Sequence, residues 1–306
     1  MKQFQNINEL LEKDTLYKKN VAESKYFYYS LGISEEMLQK KGPITIVVIG
    51  SGGKTTCIDT LAQEFISLGK KVIVTTTTNM YLPRQNGVIL DENNRGIQQY
   101  NQEIFTTKHN EKIKVCSCRE TFIKLAKKEL EENSIVVVGK ISEKSREKMS
   151  GLENSLLDKL KEETDILLIE ADGSKRLPLK FPNDEEPVWV EHMDVIVLCI
   201  GLDSLNKPLF DVCHRASLAS ERCNINETDI VTKEIIVSML QHGYMKKEAI
   251  KNRTNTLYSI LLTKGKLEDL ESSNPSIQLG KFLKENIICD NVVIFEKSKE
   301  EKNLYV

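Results

Sequence analysis

Ile44-Thr45-Ile46-Val47-Val48-Ile49 running into Gly50-Ser51-Gly52-Gly53-Lys54-Thr55-Thr56 is an apolar, β-branched stretch that stops at a glycine-rich turn. Beyond the turn, Leu61, Ala62, Phe65, Ile66 and Leu68 recur at helical spacing as far as Gly69. A buried strand, a glycine turn and an amphipathic helix, in that order, are the context expected of a phosphate-binding loop. The glycines let successive backbone N–H groups turn inward around an anion, at a helix N-terminus whose partial positive charge favours it. On this reading Gly50, Ser51, Gly52 and Gly53 cradle nucleotide phosphates and Lys54 reaches the terminal ones. The Thr55 hydroxyl is placed to ligate a phosphate-bound Mg²⁺, and Thr56 to hydrogen-bond the innermost phosphate. Val48 stands where the full G-x-x-x-x-G-K-[ST] pattern has its first glycine, so the loop has the shortened form G-x-x-G-K-T-T. The competing reading, a strand-to-helix turn with a chance Lys-Thr-Thr, leaves the agreement of motif and context unexplained.

The chain of 306 residues carries 43 basic and 45 acidic side chains, a net charge of -2. That balance gives no global field to attract nucleic acid or an anionic membrane, so an anion site has to be local. No apolar run approaches the ~20 residues of a bilayer span, and Met1-Lys2-Gln3-Phe4-Gln5-Asn6 lacks the apolar core of a signal peptide. A soluble cytoplasmic protein is expected. Seven scattered cysteines suit reduced thiols better than a disulfide framework. Cys57, Cys199 and Cys289 read as small core residues, and neither Cys116-Ser117-Cys118 nor Cys213-His214 with Cys223 has convincing metal-ligand spacing.

Residues 1–42 read as a helical N-terminal extension and 43–306 as one α/β domain of the phosphate-loop NTPase type. After Pro43, short apolar strands alternate with helical stretches, the pattern of a mostly parallel, doubly wound sheet. Strands are expected near 44–49, 71–75, 135–138, 166–169, 194–200, 257–262 and 291–295, and helices near 55–68, 119–132, 151–163, 226–241 and 276–286. The polar segment 82–118 reads as an inserted loop or small β-excursion beside the site. The charge run from Lys127 to Glu132 reads as the solvated face of a helix whose apolar side is Phe122, Leu125, Ala126 and Leu130.

Ligands of open parallel sheets bind beyond the carboxyl ends of the strands, where this sequence repeatedly places polar residues. Val72-Ile73-Val74 ends in Thr75-Thr76-Thr77-Thr78-Asn79, in which Thr77, Thr78 and Asn79 are placed to hold a substrate oxyanion or Mg²⁺-bound water, although threonines are also good strand material. Ile166-Leu167-Leu168-Ile169 ends in Glu170-Ala171-Asp172-Gly173-Ser174-Lys175. An acidic residue closing a buried strand can bind Mg²⁺ directly or through water, or orient a nucleophile, and Glu170 takes that role first, Asp172 second. An Asp-Gly turn accounts for Asp172 but leaves Glu170 without a reason. Lys175, Arg176 and Lys180 can neutralise phosphate charge, and His214, beside Arg215 after the next strand, can act as acid, base or ligand or simply as a structural hydrogen bonder.

The blocks GSGGKTT, VTTTTNMYLP, LLIEADGSKRLPLK, EPVWV, GLDSLNKPL and CHR, in this order between Ile44 and Arg215, closely resemble the YqeC-like family of selenium-dependent hydroxylase accessory proteins. The shortened loop and strand-ending glutamate are also similar to those of Mur-type ligases. The resemblance implies a nucleotide-binding protein in the maturation of selenium-dependent molybdenum hydroxylases, with a client hydroxylase and a selenophosphate-supplying protein as partners. It covers Gly50, Gly53, Lys54, Thr55, Thr56, Thr76 to Thr78, Glu170, Asp172, Gly173 and His214-Arg215. Where the family commonly has His after the threonine run this chain has Asn79, and Thr263-Lys264-Gly265-Lys266 supports no guanine-reading role.

The expected activity is Mg²⁺-dependent hydrolysis of ATP, with GTP as the alternative, or phosphoryl transfer to an anionic acceptor. Lys54, Glu170, Asp172, Lys175 and His214 are its candidate catalytic residues, with Thr55 and Glu170 on the metal. The rival is a nucleotide-driven switch or metallochaperone that acts on a client without modifying a small molecule.

Overall fold

The computed structural model describes residues 3–6, 26–83, 85–93, 103–106, 112–265 and 274–296. In chain order its strands are β1 (Gln3–Asn6), β2 (Ile44–Gly50), β3 (Val72–Thr76), β4 (Asn79–Tyr81), β5 (Gly87–Leu90), β6 (Glu103–Thr106), β7 (Lys112–Cys116) and β8 (Ile135–Ser142). They continue with β9 (Ser145–Ser150), β10 (Ile166–Glu170), β11 (Leu179–Lys180), β12 (Val195–Gly201), β13 (Cys213–His214), β14 (Leu257–Thr263) and β15 (Asn291–Glu296). One sheet runs in the order β1-β15-β14-β12-β2-β10-β3-β8-β5-β7-β6. From β15 to β7 every neighbouring pair is parallel; β1 and β6 close the edges antiparallel.

The alternation along β2 shows why the sheet is doubly covered. Val47 and Ile49 enter one apolar cluster, with Phe122, Leu157, Ile236 and Leu283 from four helices, while Ile46 and Val48 enter another, with Leu61 and Phe65 of the helix Lys54–Ser67. Strands buried on both faces read as continuous apolar runs, which is why β2, β10 and β12 stand out in the sequence. Fully burying a side chain such as Phe65 contributes about 1.5–3 kcal/mol. The chain builds one side of the sheet from β3, β5, β7 and β8, returns with β10 beside β2, and crosses to the other side with β12. The carboxyl end of β2 therefore lies where the winding changes direction, the usual place of a ligand crevice in such sheets.

Three expectations change. Of the two readings of segment 82–118, a loop or a small β-excursion, the described residues follow the second and go further: β5 and β7 extend the parallel sheet, with Val88, Ile89 and Leu90 a short apolar run and β5 paired with both β8 and β7. The described residues before Pro43 are tied to the sheet: β1 pairs with β15, and the helical turn Phe27–Ser30 packs Phe27 and Tyr28 into the core while their amides donate to the Glu64 carboxylate at 2.8 and 2.9 Å. The helical patch around Ile7–Leu11 falls outside the described residues. The helix expected at 226–241 begins at Lys233, where the Thr232 hydroxyl caps it, and a separate helix Ala216–Cys223 precedes it. Within the charge run, Glu129 turns inward to pair with Lys114, leaving the rest of that face outward.

Candidate functional site

The turn after β2 is shaped by contacts that exclude side chains. Gly50 and Gly52 have φ of 87° and 82°, and a Cβ on them would lie 2.3 Å from the Cys199 carbonyl oxygen and 2.7 Å from the Gly201 backbone. The helix that follows has no side-chain cap on Gly53, and its first intrahelical bond is donated by Cys57 to the Gly53 carbonyl at 2.9 Å. The amides of Gly53, Lys54, Thr55 and Thr56 therefore have no intrahelical acceptor.

These residues open onto a cavity of about 720 Å³ lined on this side by Gly52, Gly53, Lys54, Thr55 and Thr56. Facing them are Glu170 at the end of β10, Thr78 and Asn79 after β3, Lys175 in the loop after β10, and His214 on β13. Parallel pairing places Glu170 level with Val48 on one side and Thr76 on the other, which brings its carboxylate to the loop. Glu170 is 8% exposed, and among the described residues its carboxylate accepts no hydrogen bond. Burial raises its pKa, against the pull of Lys54. A buried carboxylate without donors, across from the Thr55 hydroxyl, suits a hard cation that also takes phosphate oxygens. No group of three or more His, Cys, Asp or Glu side chains able to hold a metal by themselves occurs among the described residues.

Several of the residues expected in the site do not line the cavity. The Gly50 amide donates to Asp172 Oδ2 at 3.0 Å, the Ser51 amide to the Cys199 carbonyl at 2.9 Å and the Ser51 hydroxyl to the Leu177 carbonyl, so neither residue lines the cavity. The Thr77 hydroxyl donates to the Val188 carbonyl at 2.8 Å, drawing it away from the cavity that Thr78 lines. Thr75 and Thr76 bond to the carbonyls of Val138 and Glu170 at 2.9 and 2.7 Å, so most of the threonine run braces the sheet. Asp172 is fully enclosed beneath the cavity, 3.2 Å from Lys54 Nζ. Lys180 is equally enclosed, its ammonium held by the Gly173 carbonyl and Glu186 at 2.6 and 2.8 Å. The parallel pair β11–β13 fixes it there, level with His214.

Burial comes first in setting the ionisation of Lys54 and works against its charge; Asp172 and Glu170 outweigh it and raise the pKa. Burial, then Arg215, Lys180 and Lys175, push the His214 imidazole down to about 4, leaving it neutral at pH 7. It can accept a hydrogen bond there but is a weak base, and it carries no imidazolium proton to donate.

Several lining residues were not among the expected site residues. Tyr81 on β4 faces Lys148 on β9 through antiparallel pairing, with Lys148 Nζ 5.0 Å and the Arg176 guanidinium 4.8 Å from its ring centre. Lys264 pairs with Asp203 at 2.5 Å, and Glu186 accepts from Arg215 at 2.6 Å. Tyr81 and Glu186 stand inside the blocks VTTTTNMYLP and EPVWV, which is where a signal for them lay; Lys148 has none. Lys54, Lys148, Lys175, Arg176 and Lys264 against Glu170 and Glu186 leave the cavity wall with an excess of positive charge.

A family model described as YqeC protein matches residues 46–217. The uncharacterized protein YqeC of Escherichia coli strain K12 is 26% identical over 206 residues, covering 66% of this chain and 70% of that protein. Among solved structures, the signal recognition particle receptor FtsY from Elizabethkingia anophelis is 14% identical with a TM-score of 0.28, over 84% of this chain and 63% of that one. The cell division protein FtsY from Thermotoga maritima is 15% identical with a TM-score of 0.23, over 78% and 60%. The chain thus spans less than two thirds of either FtsY chain.

Proposed function

Because the chain belongs to the YqeC family, we propose that it is a nucleotide-binding and nucleotide-hydrolysing accessory protein for the maturation of selenium-dependent molybdenum hydroxylases. The observation that carries the nucleotide reading is the cavity in which an uncapped helix N-terminus and the Lys54 backbone face the buried, donor-free carboxylate of Glu170. Backbone amides and a lysine suit polyphosphate, and the motif that supplies them does so in nucleotide-binding loops. Thr55 and Glu170 would hold Mg²⁺, which when bound neutralises charge on the phosphoryl oxygens. ATP is the proposed nucleotide and GTP the alternative.

The far wall, with Lys175, Arg176 and Lys148 around Tyr81, suits an anionic acceptor, and neutral His214 beside it can accept a hydrogen bond from one. A switch or metallochaperone acting on a client hydroxylase is the second reading. It is favoured by the exposed apolar pair Phe210 and Ile230, 51% and 49% accessible, beyond the end of β12. ADP release from MgATP, measured with selenophosphate-like anions and with a client hydroxylase, separates the two. Stimulation by small anions alone supports transfer, and stimulation only by client supports the switch. Turnover that ignores every addition rejects coupling of either kind.

A further inference from the structure

Two lysines share one enclosed carboxylate. Lys54 Nζ lies 3.2 Å from Asp172 Oδ1 and Lys180 Nζ 3.4 Å from Oδ2, and Oδ2 also accepts from the Gly50 amide at 3.0 Å and the Tyr244 hydroxyl at 2.8 Å. Lys54 is turned inward: its ammonium donates to the Gly50 carbonyl at 2.7 Å, and its side chain is 4% exposed. From that position it has to leave Asp172 before it can engage a phosphate in the cavity. Withdrawing the cation from a buried ion pair is normally strongly unfavourable, because an uncompensated charge stays behind. Here Asp172 would keep Lys180, the Tyr244 hydroxyl and the Gly50 amide. Lys180 is fixed for that part, since the Gly173 carbonyl and Glu186 anchor its ammonium and its side chain has no exposed surface.

From this arrangement we infer that Asp172 and Lys180 are positioning residues: Asp172 stores Lys54 in the empty protein, and Lys180 is the standby counter-ion that lets Lys54 move to the phosphates of an arriving nucleotide. The inference rests on the nucleotide reading above. Lys180→Met makes Lys54 the sole cation on Asp172 and so holds it back, and nucleotide affinity should fall at least ~10-fold. Asp172→Asn removes the charge that retains Lys54, so affinity should hold or rise. In the double variant the loss caused by Lys180→Met should largely vanish, the non-additivity of residues acting as a unit. A merely structural Lys180 lowers stability without this rescue.

The experiment is calorimetric titration of parent, both single variants and the double variant with MgADP, alongside thermal melts and a nucleotide-bound structure of the parent. Rescue of affinity in the double variant is the expected result, with Lys54 Nζ moved beyond about 4 Å from Asp172 in the bound parent while Lys180 stays. An unchanged Lys180→Met loss in the Asp172→Asn background overturns the inference. If a variant does not fold, the bound parent decides alone: Lys54 still paired with Asp172 overturns this inference and leaves the nucleotide reading standing. A parent that binds no nucleotide overturns that reading and this inference with it.

Discussion

The Tyr244 hydroxyl donates a 2.8 Å hydrogen bond to Asp172 Oδ2, so a residue beyond the family-matched segment 46–217 closes the back of the site. Both side chains are buried, and burial, reinforced by Asp172, raises the Tyr244 pKa and keeps it a donor. A hydrogen bond to a buried charge contributes about 1.5–3 kcal/mol. Tyr244→Phe should lower unfolding free energy by about that amount in urea titrations. An unchanged midpoint and slope would show that Asp172 does not depend on it.

Glu170 should show a trade of stability for function. Burial raises its folded pKa above the ordinary 4.5, so its protonated form favours folding below pH 4.5 and that contribution disappears as pH rises through the folded value. Glu170→Gln should therefore melt higher than the parent at pH 7–8, with the advantage shrinking below pH 4.5, while turnover of MgATP falls ~10²-fold or more. Asp172→Asn, which does not touch the cavity, should reduce turnover less. A Gln variant that melts no higher at neutral pH, or keeps its turnover, removes Glu170 from the metal.

His214 has the opposite sign. Its folded pKa, about 4, lies below the ordinary 6.5, so its stabilising contribution is full above pH 6.5 and lost as pH falls toward 4. His214→Gln should flatten the acid limb of the stability profile in that window. The His214 ring resonances should titrate near pH 4, and a midpoint near 6.5 would contradict the half-buried, cation-flanked setting.

At the far wall, replacing Lys175 and Arg176 together with Ala should lower the anion-stimulated rate more than the unstimulated one. Both have positive φ, 51° and 64°, and Arg176 stacks on Tyr81, so the loop holds them toward the cavity. Steady-state ADP release checks this. Equal loss of both rates would place the two cations on the nucleotide.

The phosphate loop and the strand-ending Glu170 were legible because each is local: a run of apolar residues, a glycine turn, and a charge where a buried strand stops. Which of the two strand-end carboxylates faces the cavity does not follow from strand alternation, which puts residues two apart on one face; Asp172 is set apart by its ion pairs with Lys54 and Lys180 from distant segments. The burial of Lys180 was not legible either, because it depends on pairing of β11 with β13 and on Glu186. Lys148 meets Tyr81 through an antiparallel arm of short strands, and Tyr244 arrives from a turn after a distant helix, with no motif to mark Lys148 or Tyr244. The strands β5 and β7 escaped because polar neighbours dilute their few apolar residues.

The central claim is that the turn after β2 binds a magnesium nucleotide through Lys54. Calorimetric titration of the parent and of Lys54→Ala with MgATP and MgADP tests it most directly. The account predicts saturable one-site binding to the parent, abolished in a Lys54→Ala protein that still melts cooperatively. Equal binding by both proteins, or none by a folded parent, would contradict it.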